Sequence, residues 1–217
     1  MKKTSTTQQI YNLIILDESG SMQGIKHQVI NGFNETVQTI KSAEKKHKNQ
    51  NHFVSLVTFS DAENIKTVYD RIEANSVEEL TDKTYQPCAS TPLYDAMGIA
   101  LTSLKKAVSP NDKVLVTVIT DGYENASKEY NAYTVKALVE LLKAEGWVFA
   151  YIGANQDVTR EAAKISITNT LRFTPSTFGT QEMHQEDRMA RTKFYTQLAE
   201  EDTVFCAARA NVSFFKK

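Results

Sequence analysis

The sequence contains few cysteines, glycines and prolines. Its 217 residues include only two cysteines, Cys88 and Cys206, which excludes a disulfide framework and leaves too few thiols for a zinc cluster. Eight glycines and four prolines are too few for a low-complexity segment or a linker that would divide the chain. The composition therefore predicts one domain in a reducing compartment, and we expect a cytoplasmic protein.

Neither sign of charge dominates, and no apolar run is long. The formal net charge is −1, with Lys and Arg dispersed, so there is no electrostatic footprint for nucleic acid. The basic run at residues 45–48 is better explained as the solvated end of a helix. No stretch reaches the length of a membrane-spanning helix, and the apolar run 13–16 is too short for a signal peptide. We expect neither nucleic acid nor membrane as a partner.

Apolar runs typical of strands alternate with helical patterns along most of the chain. Strands are predicted at residues 10–16, 53–59, 65–71, 113–120, 147–153 and 168–173. This alternation predicts an α/β fold, a doubly wound Rossmann-like three-layer sandwich with a mostly parallel six-stranded sheet. The gap between the second and third strands is too short for a crossover helix, so the third strand must be an antiparallel edge strand.

Helices are predicted between the strands from apolar stripes with three- and four-residue steps. One such stripe contains Ile25, Val29, Phe33 and Val37. A last helix is expected at residues 180–200, with a polar first half that is loosely docked. We therefore expect a single domain over residues 1–217, with a core at about 8–175 and a C-terminal helix and tail at 176–217. The apolar pairs at residues 204–205 and 214–215 of the tail are expected to pack against the rest of the chain.

Polar side chains follow two of the buried strands and precede one helix. Asp17, Ser19 and Ser21 form a D-x-S-x-S pattern after the first strand. Thr91 begins the motif T-P-L-Y-D-A at the start of a helix, and Asp121 belongs to a T-D-G motif at the end of the fourth strand. In open α/β sheets, ligands bind at the carboxyl ends of the strands, at the point where the strand order reverses. With the strand order 3-2-1-4-5-6, these side chains converge there.

The convergence of Asp17 and Asp121 favours a cation. Two carboxylates about 4 Å apart repel each other by roughly 4 kcal/mol at an effective dielectric constant near 20. Hard oxygen ligands on short side chains suit a small divalent ion such as Mg²⁺, with Mn²⁺ and Ca²⁺ as alternatives.

Each motif also has a purely structural explanation. Thr91 before Pro92 is a good helix N-cap with proline at the first helical position. Ser19, Ser21 and the Asp121-Gly122 pair are common turn residues. The presence of all three motifs at the ends of the appropriate elements favours the metal site over these separate explanations.

The three motifs in this order resemble those of von Willebrand factor type A domains, over about residues 8–175. The chain is most similar to small intracellular bacterial members, and the cluster resembles their metal-ion-dependent adhesion site. The resemblance implies direct coordination of the metal by the hydroxyls of Ser19 and Ser21. It also implies Thr91 or Asp121 as ligands, directly or through water, with Asp17 acting mostly through water and hydrogen bonds. In this family, a carboxylate from a bound partner protein can take the open coordination position.

Four residues near these motifs invite separate predictions. Glu18 occupies the variable position of D-x-S-x-S and is expected to face solvent. Asp61 and Glu124 follow strand ends on the same side of the sheet, and we interpret both as acids of surface loops rather than as groups that support the metal ligands. Cys88 is expected to be a half-buried structural thiol.

Three functions fit the sequence. The leading hypothesis is a metal-dependent protein-binding module without catalysis, because no nucleophile and base form an evident pair and the four histidines show no metal-ligand spacing. The alternative is a metal-dependent phosphohydrolase with Asp17 as nucleophile, but its D-x-D pattern needs Asp in place of Ser19, and the Gly-rich phosphate loops are missing. The third possibility is a structural domain whose metal only stabilises loops.

Overall fold

A computed structural model describes residues 7–154, 157–174, 176–200, 210–211 and 213–215. Six strands in these residues form one sheet. They are β1 (Gln8–Asp17), β2 (Gln50–Phe59), β3 (Ile65–Glu73), β4 (Lys113–Thr120), β5 (Val148–Gly153) and β6 (Thr170–Arg172).

The strand order is β3-β2-β1-β4-β5-β6, and all neighbours are parallel except β2 and β3. The predicted order and the antiparallel edge strand are therefore confirmed. In the register between β1 and β4, Leu16 lies opposite Ile119. Asp17, the last residue of β1, and Asp121, the first residue after β4, consequently meet at one edge of the sheet.

Five α-helices in the described part of the chain cover the two faces of the sheet. They are α1 (Lys26–Lys46), α2 (Leu93–Ala107), α3 (Ala132–Ala144), α4 (Val158–Lys164) and α5 (Thr177–Glu200). Short 3-10 turns lie at Gly20–Ile25 and Ala74–Ser76.

Each face of the sheet has its own hydrophobic core, because successive strand side chains point to opposite faces. Ile14 of β1 packs with Phe33 of α1 and Phe194 of α5. Leu13, its neighbour in β1, packs with Met97 of α2 and Val139 of α3 on the opposite face. The predicted three-layer sandwich is therefore confirmed, and burial on both faces explains the continuous apolar run in β1.

Helix α5 begins at Thr177, three residues earlier than predicted, and its first half is docked rather than loose. The His184 ring lies against Gly32 of α1, and its Nε2 is 3.0 Å from the Gln28 carbonyl oxygen. Asp187 and Arg191 are buried, and Arg191 Nε donates to Asp187 Oδ2 at 2.6 Å. The prediction was wrong because these charged side chains pair with each other beneath the helix instead of facing water.

Two further predictions concern the end of α1 and the C-terminal tail. Lys45 and Lys46 lie exposed in the last turn of α1, which confirms that the basic run is a solvated helix end. In the tail, Phe214 is buried with its ring centroid 5.9 Å from that of Phe194. The predicted packing of residues 204–205 lies outside the described residues.

None of the helices in the described part of the chain combines the length and the apolar character that crossing a membrane requires.

Candidate functional site

The candidate site begins with Asp17, the last residue of β1, whose carboxylate is fully buried. Its Oδ1 accepts a hydrogen bond from the Ser19 backbone N–H at 2.7 Å, which folds the following loop back on the strand. Its Oδ2 accepts a hydrogen bond from Thr120 Oγ1 at 2.5 Å. Asp17 therefore ties the loop after β1 to the end of β4, and both of its carboxylate oxygens are already engaged.

The two serine hydroxyls lead from Asp17 toward solvent. Ser19 Oγ is 3.2 Å from Ser21 Oγ, and Ser21 Oγ donates to Asp121 Oδ1 at 2.6 Å. Ser19 is buried, Asp121 is half-buried and Ser21 is exposed. The oxygens of these three residues thus form a chain, and the exposed residue Ser21 stands in its middle.

Thr91 reaches the same cluster from the segment before α2. A Cβ at Gly122 would lie 3.2 Å from Thr91 Oγ1 and 3.6 Å from Ser21 Oγ, so the loop after β4 approaches both hydroxyls closely. The structure therefore places Asp17, Ser19, Ser21, Thr91 and Asp121 together. The N-cap explanation of Thr91 is wrong, because α2 begins at Leu93 with Pro92 at the cap position and no side chain caps it.

The prediction that Glu18 faces solvent is wrong, because this residue is only 5% exposed. Its Oε1 accepts from the Gln86 backbone N–H at 2.5 Å, and its carbonyl oxygen accepts from the Cys88 N–H at 2.8 Å. The Tyr85 hydroxyl donates to the Asp17 carbonyl oxygen at 2.5 Å. Residues 85–88 thus cover the loop after β1, and this cover takes Glu18 out of solvent.

Three other predictions near the site have different outcomes. Cys88 is exposed rather than half-buried. Asp61 is an exposed acid of a loop, as expected. Glu124 is not a simple surface acid, because it is half-buried and accepts hydrogen bonds from Tyr94, Ala126 and Ser127.

The electrostatics of the cluster favour positive charge beside it. Burial raises the pKa of Asp17 to about 6, against the opposing hydrogen bonds from Thr120 and Ser19, and the charge of Asp121 adds to the rise. Burial also raises the pKa of Asp121. An ionised pair of carboxylates is therefore costly here, and a cation between them would favour the charged form of both.

The donor set matches a hard divalent cation. All five side chains offer oxygen, two as carboxylates and three as hydroxyls, which suits Mg²⁺ rather than a soft metal. Among the described residues, no three or more His, Cys, Asp or Glu side chains form a group that could hold a metal. A site in this part of the chain would consequently depend on hydroxyls, as this cluster does.

The room beside the cluster is small. The notch lined by Asp121, Gly122, Tyr123 and Asp157 has a volume of about 10 Å³. A cavity of about 620 Å³ lies elsewhere, between α1 and α5, and its lining includes Asn34, Gln38 and Arg188. The cluster therefore lies at an open edge rather than inside a pocket for a small molecule.

Comparisons with known proteins agree with this geometry. The family model described as von Willebrand factor type A domain matches residues 13–186. No curated protein sequence matches the chain significantly.

Several solved structures share the fold. A von Willebrand factor type A protein from Catenulispora acidiphila is 13% identical, with a TM-score of 0.56, over 87% of this chain and 43% of that chain. Proximal thread matrix protein 1 from the mussel byssus, with a zinc-occupied MIDAS motif, is 19% identical, with a TM-score of 0.56, over 89% and 48%. The pilus adhesin SpaC from Lactobacillus rhamnosus GG is 12% identical, with a TM-score of 0.63, over 87% and 30%. The chain spans less than half the length of each.

Proposed function

The chain belongs to the von Willebrand factor type A domain family, and on that premise we propose that it is a metal-dependent protein-binding module without catalysis of its own. The metal is a divalent cation, Mg²⁺ first, held by Asp17, Ser19, Ser21, Thr91 and Asp121. The observation that carries this proposal is the meeting of these five oxygen-bearing side chains at the carboxyl ends of β1 and β4.

Each residue has a distinct role in the proposed site. The hydroxyls of Ser19 and Ser21 would bind the cation directly, with Thr91 and Asp121 bound directly or through water. Asp17 supports them through hydrogen bonds, since Ser19 and Thr120 already occupy both of its oxygens. A cation held mainly by neutral hydroxyls keeps much of its positive charge.

The partner is a protein that presents an Asp or Glu side chain to the metal. Ser21 is exposed, so a carboxylate of a partner has access to an open coordination position beside it. The solved neighbours include an adhesin and a protein with a zinc-occupied MIDAS motif, which fits binding of this kind. We propose no role for nucleic acid or a membrane.

The phosphohydrolase alternative is disfavoured by the same geometry. A nucleophilic carboxylate needs a free oxygen that can reach substrate, whereas Asp17 is fully buried with both oxygens hydrogen-bonded. A purely structural metal is disfavoured by the exposure of Ser21, one of the proposed ligands.

Two broader assignments accompany this proposal. We propose that residues 1–217 form a single domain, because α5 shares the core of α1 and β1. We also propose a cytoplasmic location, because Cys88 is an exposed free thiol in a chain with only two cysteines.

Thermal melting with and without metal tests the site. Mg²⁺ or Mn²⁺ at about 100 times its dissociation constant stabilises a fold by roughly 2.7 kcal/mol, and we expect Asp17→Ala to remove most of that stabilisation. Ser21→Ala is the second variant. It removes a proposed direct ligand from an exposed position, so it disturbs the fold less than the loss of the buried Asp17 carboxylate. Asp61→Ala, which removes an exposed acid near the same edge, is the matched control. Equal metal-induced shifts in all four proteins would refute the assignment.

A further inference from the structure

Glu124 connects the loop after β4 to the beginning of α2. Its Oε2 accepts from the Tyr94 backbone N–H at 2.9 Å and from Ser127 Oγ at 2.7 Å. Its Oε1 accepts from the N–H groups of Ala126 at 2.9 Å and Ser127 at 2.7 Å. The first N–H groups of a helix have no acceptor within the helix. Glu124 therefore supplies from a distant loop the cap that α2 lacks locally.

Asp95 makes the reciprocal connection from α2 to the same loop. This carboxylate is only 2% exposed. Its Oδ2 accepts from the Lys128 N–H at 2.7 Å, and its Oδ1 accepts from the N–H groups of Glu129 at 2.9 Å and Tyr130 at 2.7 Å. Glu124 and Asp95 thus bind the two segments in both directions, and we refer to this pair as the carboxylate clasp.

The carboxylate clasp lies next to two of the proposed metal ligands. Thr91 lies two residues before α2, and Asp121 lies three residues before Glu124. Between them, the Thr91 N–H donates to Asn125 Oδ1 at 2.9 Å, and the Asn125 N–H donates to the Thr91 carbonyl oxygen at 3.1 Å. The spacing between Thr91 and Asp121 is therefore fixed by contacts outside the metal cluster.

We infer that Glu124 and Asp95 are positioning residues that give the proposed metal site its preference for Mg²⁺ over Ca²⁺. This inference rests on the proposed function. Mg²⁺ demands a nearly ideal octahedron of oxygens, whereas Ca²⁺ accepts longer and more variable geometries. Rigidly held ligands favour the ion whose size matches their spacing. The side-chain oxygens of Ser19 and Ser21 lie 3.2 Å apart and those of Ser21 and Asp121 2.6 Å apart, which suits the smaller ion, and loosening the ligands removes that advantage. Groups that orient metal ligands typically change metal affinity about 10- to 100-fold when mutated.

Calorimetric titration with Mg²⁺ and, separately, Ca²⁺ tests this inference on the full chain. Glu124→Gln keeps the size of the side chain but replaces one acceptor oxygen with an NH₂ group that faces backbone donors. We expect it to weaken Mg²⁺ binding about tenfold and Ca²⁺ binding less, so that the ratio of the two affinities falls. The control Asp61→Asn removes one acidic charge from an exposed loop residue and should leave the ratio unchanged.

Ser127→Ala keeps the test decisive if Glu124→Gln does not fold. It removes the hydroxyl that donates to Glu124 and that accepts from the Asp95 N–H at 3.0 Å. The same shift in the ratio, with melting in chelator near that of wild type, supports the inference. A variant whose ratio of Mg²⁺ affinity to Ca²⁺ affinity equals that of wild type overturns this inference but leaves the proposed function intact. Binding of neither ion by wild type overturns the proposed function and the inference with it.

Discussion

His52 should make the stability of this protein fall in mild acid. The side chain is fully buried on β2, its Nδ1 has no hydrogen-bond partner among the described residues, and its ring meets the edge of Tyr195 at a centroid distance of 4.7 Å. Burial, reinforced by the charge of His47, lowers the pKa of His52 from 6.5 to about 4. The folded protein therefore keeps His52 neutral at pH values where the unfolded chain binds a proton.

The size of the effect follows from this difference in pKa. A lowered folded-state pKa contributes stability that is fully present above pH 6.5 and is lost as the pH falls toward 4. The full loss is about 3 kcal/mol, of which about 2 kcal/mol is already gone at pH 5. Asp17 acts in the opposite sense, since its raised pKa gives stability that is lost as the pH rises through about 6. The contribution of His52 must therefore be measured as the difference in unfolding free energy between wild type and a variant that lacks the imidazole.

Urea unfolding of wild type and His52→Phe at pH 4 to 8, with chelator present, measures that difference. The phenyl ring keeps the packing against Tyr195 but has no titrating group. The substitution also removes the contact between His52 Nε2 and Gln50 Oε1, which are 3.1 Å apart. This loss changes the variant's stability by a similar amount at every pH. We expect the free energy of unfolding of wild type to fall by about 3 kcal/mol more than that of the variant over this range. Parallel pH profiles would refute the reasoning.

Two further predictions concern α5 and catalysis. Gly32→Ala should destabilise the protein by about 1 to 3 kcal/mol in urea unfolding, because the new Cβ would lie 1.6 Å from the His184 ring. Gly24→Ala, with nothing within 4 Å of its Cβ, is the control. Equal destabilisation by the two substitutions would contradict the packing of His184 against Gly32. Incubation with an aryl phosphate or ATP and Mg²⁺ or Mn²⁺ should give only background hydrolysis, whereas turnover that Asp17→Asn abolishes would favour the phosphohydrolase.

The fold could be predicted from the sequence where burial follows a simple period. The strands β1 and β4 are buried on both faces, so their apolar runs are continuous and their ends are sharp. The weakest strand prediction was β6, where only Thr170–Arg172 pair with β5. The burial of Asp187 and Arg191 could not be predicted, because two charged residues one helical turn apart give the same pattern on a solvated face as in a buried ion pair.

The motifs of the candidate site could be predicted from the sequence, but the contacts that hold these motifs in place could not. Asp17 and Asp121 were expected to converge because each follows a buried strand of the central pair. The burial of Glu18 depends on residues 85–88, which have no periodic pattern and lie almost 70 positions later in the chain. The contacts of Glu124 with Tyr94 and of Asp95 with Lys128 likewise join the start of α2 to the loop after β4, about 30 residues later. No local pattern in the sequence indicates such contacts.

The most direct test of the central claim is the metal dependence of partner binding. A partner is first captured on the immobilised protein with Mg²⁺ and eluted with high salt in the absence of chelator, so that metal dependence is not selected for. It is then titrated against wild type and Thr91→Ala, each with Mg²⁺ and with chelator. We expect chelator to abolish binding to wild type. We expect Thr91→Ala to weaken binding in Mg²⁺ by about 10- to 100-fold, the equivalent of a charge-assisted contact of roughly 1.5 to 3 kcal/mol, with little change in stability in chelator. Wild-type affinity that is indifferent to chelator would show that the metal is structural and that the adhesion mechanism is wrong.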